Sequence, residues 1–172
     1  MNLFGTEDSS ATFSPCGQYR YTLTREWDDG ERVAWLMMNP STADARVDDP
    51  TIRKCIGFSK RWGYGSLVVV NLFAIRSTYP SVINRTTTPV GPMNDCHIME
   101  ALQGCRELIC AWGCGEQLIG NNAYRPTQLL AKIRNEWIER VLPIRCLGRR
   151  KDGQPRHPSR LAYSTPRENY IW

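Results

Sequence analysis

Four short segments carry the residue types that can hold a water, read a polar edge or meet a developing negative charge. The first is Asn39-Pro40-Ser41-Thr42, which leaves an apolar run. A neutral amide there can hold a water without the cost of burying a charge, and it fits equally well in a turn that satisfies nearby backbone. Ser41 and Thr42 add two hydroxyls. The second is Asp48-Asp49-Pro50-Thr51, where one aspartate caps a helix opening at Pro50 and the other is left to orient a water. The third is Asn71, which ends Leu67-Val68-Val69-Val70 and can offer both a donor and an acceptor, or fix a loop. The fourth is His157-Pro158-Ser159. An imidazole there can donate to an oxygen on which charge develops, or stand exposed. Phe73, Trp112 and Tyr64 can stack on a flat ligand or fill the core.

The charge distribution bears on the fourth segment. The chain has 172 residues with 22 Lys+Arg against 17 Asp+Glu, a net charge of +5. Arg140, Arg145, Arg149, Arg150, Lys151, Arg156 and Arg160 face the single acid Asp152 between residues 140 and 160. Such a stretch suits a phosphate-bearing partner or a solvated loop, and Arg149, Arg150, Lys151, Arg156, Ser159 and Arg160 are the candidate phosphate contacts. Other chemistries lack their signatures. No G-x-S-x-G elbow and no G-x-x-x-x-G-K-[ST] loop occurs, and Gly113-Cys114-Gly115-Glu116-Gln117-Leu118 has leucine where the dinucleotide fingerprint needs its third glycine. The seven cysteines form no C-x-x-C pair and read as small hydrophobes in a reducing compartment. Neither a metal nor an organic cofactor is expected.

The elements that must position these residues follow from hydrophobic patterning. Residues 1–18 lack periodicity and read as a loosely ordered arm, and residues 19–172 as one α/β domain. Residues 19–24 and 32–38 flank Asp28-Asp29-Gly30 and predict an antiparallel hairpin. The apolar runs 33–38, 67–72, 107–112 and 144–148 alternate with helical patterns. One helix carries Ile52, Cys55, Ile56 and Trp62, the next Ile98, Met99 and Leu102, and the last Leu129, Leu130, Ile133, Trp137 and Val141 on its inner face. This pattern predicts a three-layer α/β/α fold with a central, mostly parallel four-stranded sheet plus the N-terminal hairpin. Ligands bind such sheets at the carboxyl ends of the strands, and Asn39-Pro40-Ser41-Thr42, Asn71 through Arg76, Gly113-Cys114-Gly115 and Arg149 through Arg160, with His157-Pro158-Ser159 inside it, follow the four apolar runs. The longest apolar run is too short to span a bilayer, and no basic region followed by an apolar stretch opens the chain, so a cytoplasmic monomer without a membrane or secretory segment is expected.

The ordered set N-P-S-T, D-D-P-T, Trp62-Gly63-Tyr64-Gly65, Val70-Asn71-Leu72-Phe73-Ala74 and Ala111-Trp112-Gly113 resembles, over about residues 19–162, a domain family of unknown function found in bacteria and phages. More distantly, the layout is similar to the uracil-DNA glycosylase superfamily. Met37-Met38-Asn39-Pro40 resembles its water-positioning motif, with Met37 where a glycine is usual. Val70-Asn71 resembles the base-reading motif, and His157-Pro158-Ser159 the closing loop. The resemblance implies a glycosylase-like hydrolase that flips a uracil-like or modified base out of DNA. Asn39, with Asp48 or Asp49, would then place the water, Asn71, Phe73, Ser41 and Thr42 would hold the base, and His157 would stabilise the leaving oxygen. A catalytically silent binder of nucleic acid or nucleotide, or an enzyme on free nucleotides, are the alternatives.

Overall fold

A strand that is apolar at every position needs cover on both faces and neighbours on both edges. Residues 33–37 meet that description best, and they lie at the centre of the sheet. The computed structural model describes residues 8–41, 43–44, 46–114, 118–136 and 141–172. In chain order its strands are β1 (Asp8–Phe13), β2 (Arg20–Glu26), β3 (Arg32–Met37), β4 (Ser66–Asn71), β5 (Cys105–Cys110), β6 (Ile144–Cys146) and β7 (Glu168–Asn169). The helices are α1 (Pro50–Arg61), α2 (Val82–Arg85), α3 (Asn94–Leu102) and α4 (Arg125–Glu136).

All seven strands form one sheet in the order β1-β2-β4-β3-β5-β6-β7. The four expected parallel strands are present as β4-β3-β5-β6. The sheet is larger than expected because β2 and β1 extend it antiparallel beyond β4, and β7 extends it beyond β6. Two expectations are corrected here. Residues 8–13 of the supposed arm are a paired strand. The segments on either side of Asp28-Asp29-Gly30 do not form a hairpin, because β4 lies between them.

The physical reason is visible in burial. β3 is buried from Val33 to Met37 and takes parallel partners on both edges, whereas β2 alternates between buried and partly exposed residues and sits further out. The Asp28–Gly30 turn instead crosses the start of β4. Trp27 N–H and Asp28 N–H both donate to Gly65 O, at 2.9 and 3.0 Å, and Gly65 N–H donates to Glu31 O at 3.0 Å. A Cβ on Gly65 would overlap Gly30 N and Asp28 O, backbone atoms that cannot step aside. Gly65→Ala is therefore expected to lower stability by about 2 to 3 kcal/mol, read as a drop in the urea midpoint at unchanged slope.

Successive residues of the central strands enter opposite cores. Val33, Trp35, Met37, Leu67, Val69 and Ile109 join one cluster, closed by Ile52, Cys55 and Phe58 of α1. Ala34, Leu36, Val68, Val70, Leu108 and Cys110 join the other, closed by Ile98 and Leu102 of α3 and by Leu129, Leu130 and Ile133 of α4. Val141, expected to face inward, is 85% exposed, and Trp137 lies outside the described residues. Cys55, Cys105, Cys110 and Cys146 are buried, whereas Cys16 and Cys96 are exposed. Among the described residues no helix is long and apolar enough to cross a membrane.

Candidate functional site

β3, β4 and β5 point the same way, and backbone bonds tie together the segments that leave them. Leu72 N–H and Phe73 N–H donate to Met37 O and Met38 O at 2.9 and 3.0 Å, Ala111 N–H donates to Leu36 O at 2.9 Å, and Gly113 N–H donates to Pro155 O at 3.1 Å. These bonds bring the ends of three strands against the loop after β6. Between them opens a cleft of about 860 Å³. Asn39, Ser41, Asp49, Asn71, His157 and Ser159 line it, together with Arg150, Arg156 and Arg160. The segments that follow the four parallel strands, around Asn39, Asn71, Gly113 and His157, thus meet at one cleft.

The amide of Asn39 is fixed. Its Nδ2 donates to Ser77 O at 2.8 Å and to Pro40 O at 3.2 Å, so any further bond it accepts must be made by Oδ1. Asn71 is 1% exposed, and its Nδ2 has no hydrogen-bond partner among the described residues. The backbone around it is held firmly: Asn94 Nδ2 donates to Asn71 O at 2.9 Å, and Arg125 Nε donates to Leu72 O at 2.9 Å. Arg125 is itself paired with Asp95 at 2.5 Å.

His157 opens the short 3-10 turn Pro158–Arg160. Its Nδ1 accepts from Ser159 N–H at 3.3 Å and lies 2.9 Å from Ser159 Oγ. With Nδ1 accepting that backbone N–H, the proton of the neutral ring sits on Nε2. Gly113, at φ +80°, makes room for the ring: a Cβ there would stand 3.0 Å from the His157 Cβ. Burial lowers the His157 pKa below its ordinary 6.5, against the opposing charge of Asp49. The unfolded chain therefore takes up this proton more readily than the folded one. Stability from the neutral ring is intact above about pH 6.5 and declines as the pH falls through that value toward the lower folded one. The melting temperature of the wild type, measured relative to His157→Asn, is expected to drop between about pH 7 and pH 5; a constant difference would show that burial does not act on this ring.

The two aspartates divide their roles. Asp49 caps α1, its Oδ1 accepting from Ile52 N–H at 2.9 Å, and lines the cleft. Asp48 is absent from the lining. Arg25 takes its carboxylate, with Nε at 2.9 Å and Nη2 at 2.8 Å, which corrects its candidacy as a water-orienting group. Phe73 is likewise corrected: it is fully buried in the core with α3 and α4 and does not reach the cleft. Thr42, Gly115 and Arg140 lie outside the described residues.

The basic stretch is also divided. Arg145 Nε lies 3.0 Å from buried Glu107, and Arg149 Nε is 3.8 Å from Glu168. Neither Arg149 nor the exposed Lys151 lines the cleft. Arg150, near Asp152 at 3.4 Å, reaches it along with Arg156 and Arg160. The loop folds back on itself, with Arg150 N–H donating to Gln154 O at 2.8 Å and Arg156 N–H to Gly148 O at 3.0 Å. Trp112 anchors it, its Nε1–H donating to Gln154 Oε1 at 2.8 Å.

One charged lining residue escaped the sequence reading. Arg20, the first residue of β2, is 2% exposed and borders the cleft. Its only sequence signal is negative: no acid lies within four positions on either side to pair with it locally.

These features define a mixed α/β protein with a cationic cleft at the carboxyl ends of parallel strands. The chain belongs to the family described as "Protein of unknown function (DUF1643)", which matches residues 20–159. Comparison with curated proteins and with solved structures returns no match.

Proposed function

We propose that the cleft hydrolyses the N-glycosidic bond of a nucleotide in DNA, taking a uracil-like or modified base flipped from the stack. The observation that carries this reading is the unpartnered Asn71 Nδ2, buried in the same cleft as Asn39 and His157. A buried donor without an acceptor costs about 1–3 kcal/mol, a cost that an acceptor on a bound ligand removes. A carbonyl oxygen of a base is such an acceptor.

The chemistry follows from the donors and acceptors available. A water held by Asn39 Oδ1 and the Asp49 carboxylate attacks C1′, giving up its proton to that carboxylate. The C1′–N bond breaks and its electrons pass to the base. The negative charge gathers on a base oxygen, where Asn71 Nδ2 and His157 Nε2–H can meet it. The base later takes up a proton from solvent. Arg156 and Arg160 at the rim suit the flanking phosphates, which makes binding steeply dependent on salt. Extraction of the base costs a few kcal/mol, least where it is already unpaired.

The test incubates the protein with oligonucleotides carrying uracil, hypoxanthine, hydroxymethyluracil or glucosylated bases, then treats them with alkali to break abasic sites. Cleavage at one modified base is expected. Asn39→Ala, which removes the acceptor holding the water, and His157→Ala, which removes the donor to the leaving oxygen, should each lower the rate by about 100-fold or more. Cleavage of no substrate, or full activity in both variants, overturns the reading. A second reading, action on a free nucleotide, is favoured by one observation, the position of Arg20.

A further inference from the structure

The hydrolytic scheme leaves one buried cation without a task. Arg20 Nη1 donates to Ala43 O at 2.5 Å, but Nε has no hydrogen-bond partner and no carboxylate pairs with the guanidinium among the described residues. Burying an unmet charged donor costs more than burying a neutral one, and such sites are stable only when something completes them. The neighbouring charges do not complete it. Asp49 and Asp44 favour the cation, while Arg76 and Arg25 oppose it, and burial lowers its pKa to about 10, so it stays charged at neutral pH. Arg25 and Asp48 already satisfy each other.

The cleft as a whole is cationic. Among the described residues its lining holds four arginines, Arg20, Arg150, Arg156 and Arg160, against the single carboxylate of Asp49. Three of the four are on the exposed loop, where they can reach phosphates outside. Arg20 is buried on the opposite wall, on β2. A uracil-like base is neutral at pH 7, and the phosphates flanking a flipped nucleotide remain outside with the loop arginines. Neither supplies an anion at Arg20.

We propose that Arg20 receives an oxyanion that the ligand carries into the cleft, a phosphate or carboxylate of the bound nucleotide seated on the guanidinium. Guanidinium groups suit this task because their planar donors match the oxygens of both groups. The substrate class is then a nucleotide with a terminal phosphate, or one whose base bears a carboxylate. The inference rests on reading the cleft as a nucleotide site, and it does not require hydrolysis.

The experiment titrates wild-type protein with four probes: 2′-deoxyuridine 5′-monophosphate, 2′-deoxyuridine, an oligonucleotide carrying 5-carboxyuracil, and the same oligonucleotide carrying uracil. Affinity is read by calorimetry. The Arg20 Nε–H signal is followed in two-dimensional proton–nitrogen spectra and assigned through side-chain connectivities from its Cδ back to the backbone, so the readout does not depend on any variant folding. One charged probe is expected to bind at least ~10-fold tighter than its neutral counterpart, and to shift the Arg20 signal in proportion to saturation. Which pair shows the difference separates a terminal phosphate from a base carboxylate. Arg20→Lys should reduce the preference to under ~3-fold.

Equal affinity within both pairs, or binding of none of the four probes, overturns the proposal. So does a saturated charged probe that leaves the Arg20 signal unmoved, which would place the discrimination on the loop arginines. If no oligonucleotide is ever cut while these results stand, hydrolysis falls and the role of Arg20 remains. Cutting with a motionless Arg20 signal gives the reverse.

Discussion

Replacing Asn71 by leucine is expected to lower kcat/KM for base release by at least ~100-fold while leaving the melting temperature equal to or above that of the wild type. The two halves of this result come from one atom. Asn71 Nδ2 is buried and makes no hydrogen bond among the described residues, so its removal takes away nothing that holds the fold together. Leucine keeps the branch at Cγ, and although it is bulkier it borders the open cleft and faces Met37 and Val69, apolar neighbours on the same side of the sheet. The main-chain bond from Asn94 to Asn71 O does not involve the side chain and survives. A site built to hydrogen-bond its ligand, however, discriminates strongly once the bond is lost. Asn71→Asp is the sharper control, since a carboxylate at that position accepts but cannot donate and repels a base carbonyl. Thermal melting and kinetics on the cleaved oligonucleotide check both halves. A leucine variant that is fully active, or that loses more than about 2 kcal/mol of stability, would show that Asn71 is a structural amide.

The same residue shows why part of the site was legible beforehand. An asparagine ending an all-apolar strand contradicts its surroundings, and such contradictions are visible in one dimension. Asn39 and His157 carried similar signals, a polar group directly after an apolar run and a rare imidazole among arginines. Their convergence required only that the strands be parallel, which the alternation of apolar runs and helices implied. Partner choice was the hidden part. Whether Asp48 or Asp49 faced the cleft depended on Arg25, twenty-three positions away on β2, which takes Asp48. Arg149 looked available for phosphate until β7 brought Glu168 to 3.8 Å from its Nε, away from the cleft lining. Arg20 carried no positive signal at all, because its role is set by lying under a loop distant in sequence. The misread hairpin has the same origin: a turn signal shows that the chain bends, and only packing decides which strand it returns to.

Removal of the Glu107 side chain is expected to produce the largest loss of stability of any single substitution of a charged residue here, about 3–5 kcal/mol, or roughly 10 °C in melting temperature. Glu107 is 4% exposed, at the head of β5. One oxygen meets Arg167 Nη1 at 2.5 Å and the other meets Arg145 Nε at 3.0 Å. Arg167 in turn lies over the rings of Trp62 and Tyr64, at 4.9 and 5.7 Å, and its Nη1 is 3.5 Å from Tyr64 Oη. The Tyr64 hydroxyl is pushed up to about 12 by burial and by Glu107, so it stays protonated. Glu107→Ala leaves two guanidinium groups facing each other with their shared anion gone, and partly buried cations without a partner are expensive. Glu107→Gln keeps the shape and loses the charge, and should fall between alanine and the wild type.

The consequence reaches the cleft through the chain that follows His157. Residues 161–167 run back over α1, with Tyr163 packed edge-on against Phe58 at 5.0 Å and seated where Gly57 leaves room. Arg167 is the ionic clasp at the end of that run. Freeing it should loosen the segment that carries the imidazole. Hydrogen exchange of the Ser159 and Leu161 amides, bonded to His157 Nδ1 and Pro158 O, is expected to accelerate in Glu107→Gln under conditions where the sheet remains protected. Uniform acceleration across β3 and β4 would instead mean that the ion cluster stabilises the whole fold and has no particular hold on the cleft's fourth wall.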